Sequence, residues 1–437
     1  MGWGARVSAL RMDVRPFREH RDFRLLLIAG TVFYLGGMMT YVAIPYQIYQ
    51  LTHSNFAVGA VGLVELVPLI FFGLYGGALA DHVDRRLLLI WTGIAQAAFT
   101  AWLAINAFSD HPRLWEIFLV AGLLASSSAM QRPSREALLP RTVRHDEIIA
   151  ANALSSLGMQ AGVLVGPAIG GVLVASFGPA WCFLVDIVGL FVASMLYAAM
   201  RRYPHVGETE PPSLRGIGIG LRYAMSRRDL LGTYVVDLIA MLLAMPIVLF
   251  PALAQKIFED PHLLGLLYSA ETVGALLATG LSGWTSRVRH HGRAIVLAAM
   301  AYGGFIALAG LAPTIWGALV FFTCAGAADM ISAVFRGTIW SQTIPDNLRG
   351  RLAGIEMLSY SVGPLGGQVR AGIVADRWTV RGSIVSGGVS CVAGVAITAM
   401  WLHDFWSYDA RTDEHAVAQR VARQLAGERV DPAQSRP

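Results

Sequence analysis

The sequence predicts an all-α integral membrane protein: twelve transmembrane helices in two pseudo-symmetric six-helix bundles. Three observations carry that expectation: an apolar composition, twelve separated apolar runs and a weak internal repeat. Of the 437 residues 55% are hydrophobic and 14% are charged. Soluble domains carry about 25% charged residues, so this chain has too few charges to cover a water-facing surface. A chain this apolar does not stay solvated, which excludes disorder. Three cysteines, each alone in an apolar segment, exclude a disulfide scaffold and read as buried small hydrophobes.

A span needs roughly 20 apolar residues. Twelve runs qualify, at 24–49, 56–80, 87–108, 114–131, 151–176, 180–200, 230–255, 262–285, 294–312, 315–340, 352–376 and 382–403. They divide the chain into a leading segment (1–23), a first bundle (24–200), a linker (201–229), a second bundle (230–403) and a tail (404–437). The leading segment is not a cleavable signal, because the apolar run that follows is too long and many spans succeed it. Within the linker, Leu214, Ile217, Leu221 and Met225 share one helical face over 213–228, which reads as an interfacial amphipathic helix.

Charge fixes the expected orientation. Of 34 basic residues 33 are arginine, and Lys256 is the exception. Alternate loops, the termini and the linker hold 28 of them; the opposite loops hold four (Arg113, Lys256, Arg377, Arg381). By the positive-inside rule both termini and the linker are cytoplasmic. Clusters between apolar runs, rather than one basic face, argue against nucleic acid and leave the +5 net charge as a record of topology.

A shift of 206 residues aligns Pro45 with Pro251, Gly59 with Gly265, Glu65 with Glu271 and Gly77 with Gly283. Proline and an intramembrane glutamate are rare enough in spans to make that agreement informative.

The loop after span 2 runs from Gly76 through Gly77, Asp81 and Asp84 to the basic pair Arg85 and Arg86. Gly77 lets helices approach closely. Asp81 suits the N-terminus of a neighbouring span with an arginine partner, forming a breakable latch. A plain positive-inside turn is the competing reading. Span 5 carries Gly162-x-x-x-Gly166-Pro167-x-x-Gly170-Gly171, a close-packing face with a kink expected at Pro167. The first string resembles the signature loop of the major facilitator superfamily, with His82 standing where that family often has Arg or Lys. The second resembles the fifth-helix motif of its exporters and antiporters. Arg132-Pro133-Ser134-Arg135-Glu136-Ala137-Leu138-Leu139-Pro140, the Ala151–Leu154 run, Asp329–Arg336 and Pro345–Arg351 extend the resemblance to its enterobactin-exporter-like branch, which includes actinobacterial multidrug pumps.

Ionisable groups inside spans are costly and mark function by default. They are Glu65, Asp186, Asp237, Glu271, Asp329, Arg336, Glu356 and Arg370. The resemblance implies that Glu65, Asp237, Glu271, Asp329 and Glu356 line a cavity. Low dielectric favours a protonated carboxylate, so Glu65, Asp237 and Glu271 are the proton-coupling candidates; for each one, a hydrogen-bonded packing carboxylate competes. Asp186 reads as a structural cap. Asp329 and Arg336 share a face but stand about 10 Å apart along the axis, too far for a direct pair. Arg336 then closes a gate or anchors the span end. Met38, Met39, Met241 and Met245 with Phe33, Tyr34 and Tyr41 read either as a pliable cavity wall or as ordinary packing.

Lys256 is followed by Ile257, so the sequence lacks a phosphate-loop lysine and an ATP-driven pump is excluded. Neither H-E-x-x-H nor G-x-S-x-G occurs, so an enzyme is not expected. His53, His111, His262, His290 and His291 read as loop residues. The resemblance implies alternating access and proton-coupled export of siderophores or amphiphilic drugs across a bacterial inner membrane. An importer or proton symporter on the same fold, for another small organic solute, is the alternative. The expected partners are a small amphiphilic organic substrate, protons and membrane lipid. No nucleic acid, ATP, cofactor or metal is expected, and a monomer is.

Overall fold

The computed structural model describes residues 13–203, 222–223, 225–344 and 346–425; the side chains of 73–82, 346–358 and 422–425 lie outside that description. Thirteen helices of twelve residues or more organise it. They are α1 (Arg21–Thr52), α2 (Asn55–His82), α3 (Arg85–Phe108), α4 (Leu114–Leu138), α5 (Ile148–Phe177), α6 (Pro179–Ala198), α7 (Arg228–Ala244), α8 (Leu264–Gly280), α9 (His291–Leu311), α10 (Ile315–Thr343), α11 (Asp346–Arg377), α12 (Val380–Trp401) and α13 (Glu414–Leu425). Among the described residues, eleven helices are long and apolar enough to cross a membrane. The 32-residue α11 stands outside that set and completes the expected twelve. Arg349, Arg351, Glu356 and Arg370 dilute its apolar content.

Local chemistry sets many of the boundaries. The Asp84 carboxylate accepts from Arg86 N at 2.9 Å and starts α3. Thr314 and Thr379 do the same for α10 and α12 through Gly317 N and Gly382 N. Gly178, at φ +89°, both ends α5 and precedes α6, which opens on Pro179. Prolines 45, 68, 133, 167 and 364 sit inside helices, as membrane helices tolerate when neighbours satisfy the freed carbonyls. The expected run at 114–131 ends too early: α4 continues through the charged Arg132–Glu136 turn to Leu138.

The run at 230–255 is interrupted. After Ala244 the chain breaks at Met245 and Pro246, then continues as a 3-10 turn, a single α turn at Phe250–Ala252 and a π turn to Ile257. Pro246 supplies no N–H. The Arg370 guanidinium donates to Leu243 O (2.8 Å), Ser383 O (3.3 Å) and Ser386 Oγ (3.2 Å). This intramembrane arginine closes the broken helix end.

The chain divides into two compact units. The first holds Met1–His53, Val64–Pro212 and Glu259–Ser269; the second holds Ser54–Leu63, Ser213–Phe258 and Ala270–Pro437. In the first, α1 packs on α5 and α6, and α3 packs on α6 and α4. In the second, α7 packs on α11 and α12, and α9 packs on α12 and α10. The helix pairings repeat at a six-helix offset, which is the pseudo-symmetry the 206-residue shift predicts. One aligned pair, Gly59 and Gly265, shares a job, whereas a Cβ on Gly283 would meet nothing within 4 Å. A Cβ on Gly265 would meet Ala168 O at 2.7 Å and Pro167 O at 2.8 Å; one on Gly59 would meet Gln368 O at 2.5 Å. The repeat fails at α7, where Pro246 breaks the helix and its counterpart Thr40 does not.

Candidate functional site

Two constellations concentrate the polar chemistry, one in each unit, buried in the second and partly exposed in the first. In the second, α7 presents Asp237, 1% exposed, and α10 presents Arg336, 2% exposed. Arg336 Nη1 lies 2.6 Å from Asp237 Oδ1. Ser359 Oγ, from α11, donates to Asp237 Oδ2 at 2.8 Å. Arg336 Nη2 lies 3.7 Å from Asp329 Oδ1. This corrects the expectation that Asp329 and Arg336 are too far apart to pair. Helical side chains lean toward the N-terminus, and the long arginine stem reaches back along α10. Arg336 is therefore no anchor at the span end but the cation between two carboxylates. Removing it would leave a buried charge unpaired, which is the costly case for intramembrane groups.

Glu271 lies on α8 with its Oε1 buried and without a hydrogen-bond partner. Gly326 of α10 lies against its backbone, so α8 and α10 run in close contact there. Glu65 is half-buried on α2, with no ion pair among the described residues. Asp186 caps no helix end. It sits two turns into α6, 3% exposed, and accepts from Thr40 Oγ1 at 2.6 Å. The side chain of Glu356 and the surroundings of Gly77 and Asp81 lie outside the described residues, as does most of the expected amphipathic helix at 213–228.

In the first unit, α1, α4 and α5 enclose a cavity of about 680 Å3. Its lining combines apolar Leu26, Leu27, Leu139 and Met159 with Thr31, Tyr34, Asn152, Ser155 and Ser156. Three charges line it: Arg132, Arg135 and Glu136. Arg132 Nε donates to Glu136 Oε1 at 3.0 Å. Arg135 Nη2 donates to Tyr34 Oη at 2.7 Å, and the guanidinium carbon stands 4.6 Å from the Tyr34 ring centroid and 5.4 Å from that of Phe33. Arg135 Nη1 is buried and makes no well-formed hydrogen bond. Hydropathy assigns Arg135 to the arginine-rich loop, so sequence reasoning passes over it. The signal is its place one turn past Gln131 in a helix that does not stop there. Of the residues read as cavity wall, Tyr34 lines this cavity, and Phe33 reaches only the Arg135 guanidinium. Met38 and Met39 instead pack against Gly166 and Gly170.

The span-5 glycines are buried and face α1. A Cβ on Gly162 would meet Tyr34 Cβ at 2.7 Å, and one on Gly166 would meet Met38 Cβ at 2.6 Å and Leu35 O at 2.8 Å. Gly170 lies against Met39, and Gly171 turns the other way to touch Gly265. α5 runs through Pro167 as one helix, and Ser269 Oγ donates to Leu164 O at 3.1 Å. In the basic pair, Arg86 donates to Tyr197 O at 2.9 Å and to Ala198 O, closing the end of α6. Arg85 reaches Ala137 O at 3.5 Å. His291 is not a loop residue: it opens α9 and is 6% exposed.

Among the described residues one group has metal-ligand spacing: Glu19, His20 and Glu147. His20 Nε2 and Glu147 Oε2 bond directly at 2.6 Å, and Glu147 also accepts from Arg144 N. That pairing holds the start of α1 to the turn before α5.

A family model described as transmembrane secretion effector matches residues 12–431. The chain belongs to this family of the major facilitator superfamily. The enterobactin exporter EntS of Salmonella typhimurium is 24% identical over 391 residues, covering 88% of this chain and 94% of that one. EntS of Citrobacter koseri is 25% identical, covering 88% and 93%. Solved structures share the fold. A bacterial homolog of the human lysosomal transporter Spinster has a TM-score of 0.65 at 15% identity, covering 94% of this chain and 98% of that one. A POT family transporter in complex with 5-aminolevulinic acid reaches 0.72 at 10% identity, covering 88% and 97%. The protein is a multi-pass membrane transporter.

Proposed function

We propose that this transporter is a proton-coupled exporter of siderophores or amphiphilic drugs, working by alternating access in a bacterial inner membrane with both termini cytoplasmic. The orientation rests on the 28-to-4 split of basic residues. The direction rests on the span-5 glycine motif and on the enterobactin exporters to which the chain is similar.

The observation that carries coupling is the buried Asp237–Arg336 pair. A proton taken by Asp237 removes the charge that Arg336 compensates. Arg336 then has Asp329 as its remaining carboxylate partner. The pair is a two-state element in which protonation and the local hydrogen bonds are linked. Glu65 and Glu271 are the further carboxylates available to carry the proton.

The test is pH-gradient-driven efflux in inverted vesicles with Asp237→Asn and, separately, Glu65→Gln. Loss of pH dependence in either variant supports the reading. If both leave transport and its pH dependence intact, the coupling assignment fails. Uptake in the opposite direction by the wild type would establish an importer. Deletion of the gene, followed by profiling of secreted iron chelators and drug susceptibility, separates the two substrate classes.

A further inference from the structure

We infer that Arg135 is the anion-recognition element of the cavity between α1, α4 and α5, and that the transported molecule carries an organic acid group presenting two oxygens. The inference deepens the export reading by naming a substrate class, and it rests on that cavity being part of the transport path.

The argument starts from charge compensation. Arg336 pairs with Asp237, Arg132 with Glu136 and Arg227 with Asp229; Arg370 is satisfied by the carbonyls at the α7 break. Arg135 has no carboxylate within ion-pair distance among the described residues. Its direct partners among the described residues are the Tyr34 hydroxyl, two ring faces and the neighbouring Tyr197 hydroxyl, none of them a carboxylate. A half-buried guanidinium without a counter-charge is poorly compensated, and an anionic ligand would supply the missing charge.

Geometry makes the cation specific. Tyr34 holds Nη2, and the two rings flank the guanidinium, so its plane is set before a ligand arrives. Nη1 is buried and makes no well-formed hydrogen bond. A planar fork with a fixed orientation suits a bidentate oxygen acceptor such as a carboxylate. Gly30 of α1 lines the same cavity beside the Arg135 stem. The cavity, about 680 Å3, has the size of a small-molecule site, and its lining mixes apolar with polar side chains. The ligand is therefore an amphiphilic anion, and amphiphilic cations are disfavoured.

The experiment uses the full chain in lipid nanodiscs and two matched probes, 2-naphthoate and its neutral amide 2-naphthamide. Binding is measured by calorimetry at pH 7, with empty nanodiscs subtracted. Wild type is expected to bind the acid at least about tenfold more tightly than the amide, the scale of one charge-assisted hydrogen bond. Arg135→Gln is expected to lose that difference while keeping its amide affinity, which shows that the variant is folded. Arg135→Lys keeps the charge without the fork and should fall between them. Equal binding of the two probes to wild type, binding of neither, or undiminished acid binding by Arg135→Gln overturns the assignment. Asp237→Asn separates this from the coupling proposal. Selective acid binding beside unaltered pH-driven export in Asp237→Asn would remove Asp237 from coupling and leave the Arg135 site standing. Equal binding of the two probes by wild type beside pH dependence lost in Asp237→Asn would do the reverse.

Discussion

Replacing Arg336 with methionine removes the one cation that pairs with Asp237 among the described residues. Asp237 is 1% exposed, so no water substitutes for the lost partner. Stranding one member of a buried pair costs about 3–5 kcal/mol. Asp329 adds little, because it is more than a third exposed and stands 3.7 Å from Arg336. The double variant Arg336→Met/Asp237→Leu removes both charges and leaves apolar groups in their place. Its remaining loss is the Ser359 hydroxyl without an acceptor, about 1 kcal/mol. The coupling between the two sites is then about 2 kcal/mol or more. The assay is unfolding by sodium dodecyl sulfate in mixed micelles, followed by circular dichroism, on wild type, both single variants and the double. The reasoning is refuted if Arg336→Met costs less than about 1 kcal/mol, or if the double variant costs the sum of the singles.

Three further perturbations follow from the packing. Gly166→Ala places a methyl 2.6 Å from Met38 Cβ and 2.8 Å from Leu35 O; overpacking of this kind costs about 1–3 kcal/mol, read in the same unfolding assay. Arg86→Ala frees the carbonyls of Tyr197 and Ala198, so amides in the last turn of α6 should exchange with solvent about tenfold faster, with α3 unaffected. Asp376 accepts from Ser54 Oγ, Asn55 N, Asn55 Nδ2 and Phe56 N at the start of α2. Asp376→Ala should cost about 1–2 kcal/mol and expose the Asn55 and Phe56 amides to exchange.

Legibility followed the range of the physics. Hydropathy sums over twenty residues, so the apolar runs located eleven spans and, with α11, the twelve helices. The glycine string of span 5 read correctly because a missing side chain has one consequence, close approach, whatever the neighbour is. The break in α7 was harder: Pro246 announces it, but prolines at 45, 68, 133, 167 and 364 break nothing. What differs is the partner available to the freed groups, and Arg370 comes from a helix more than a hundred residues away.

The charged residues divide on the same line. Composition and spacing alone determined that the chain lives in a membrane, how its helices are numbered and which carboxylates lie within spans. Burial, pairing and compensation are three-dimensional, and only the tertiary structure decided them. It placed Arg336 between Asp237 and Asp329, turned Asp186 toward Thr40, and left Arg135 facing a cavity without a counter-ion. A lone sequence position records that a charge exists; the distance to its nearest opposite, a few ångströms across helices far apart in the chain, sets what that charge can do.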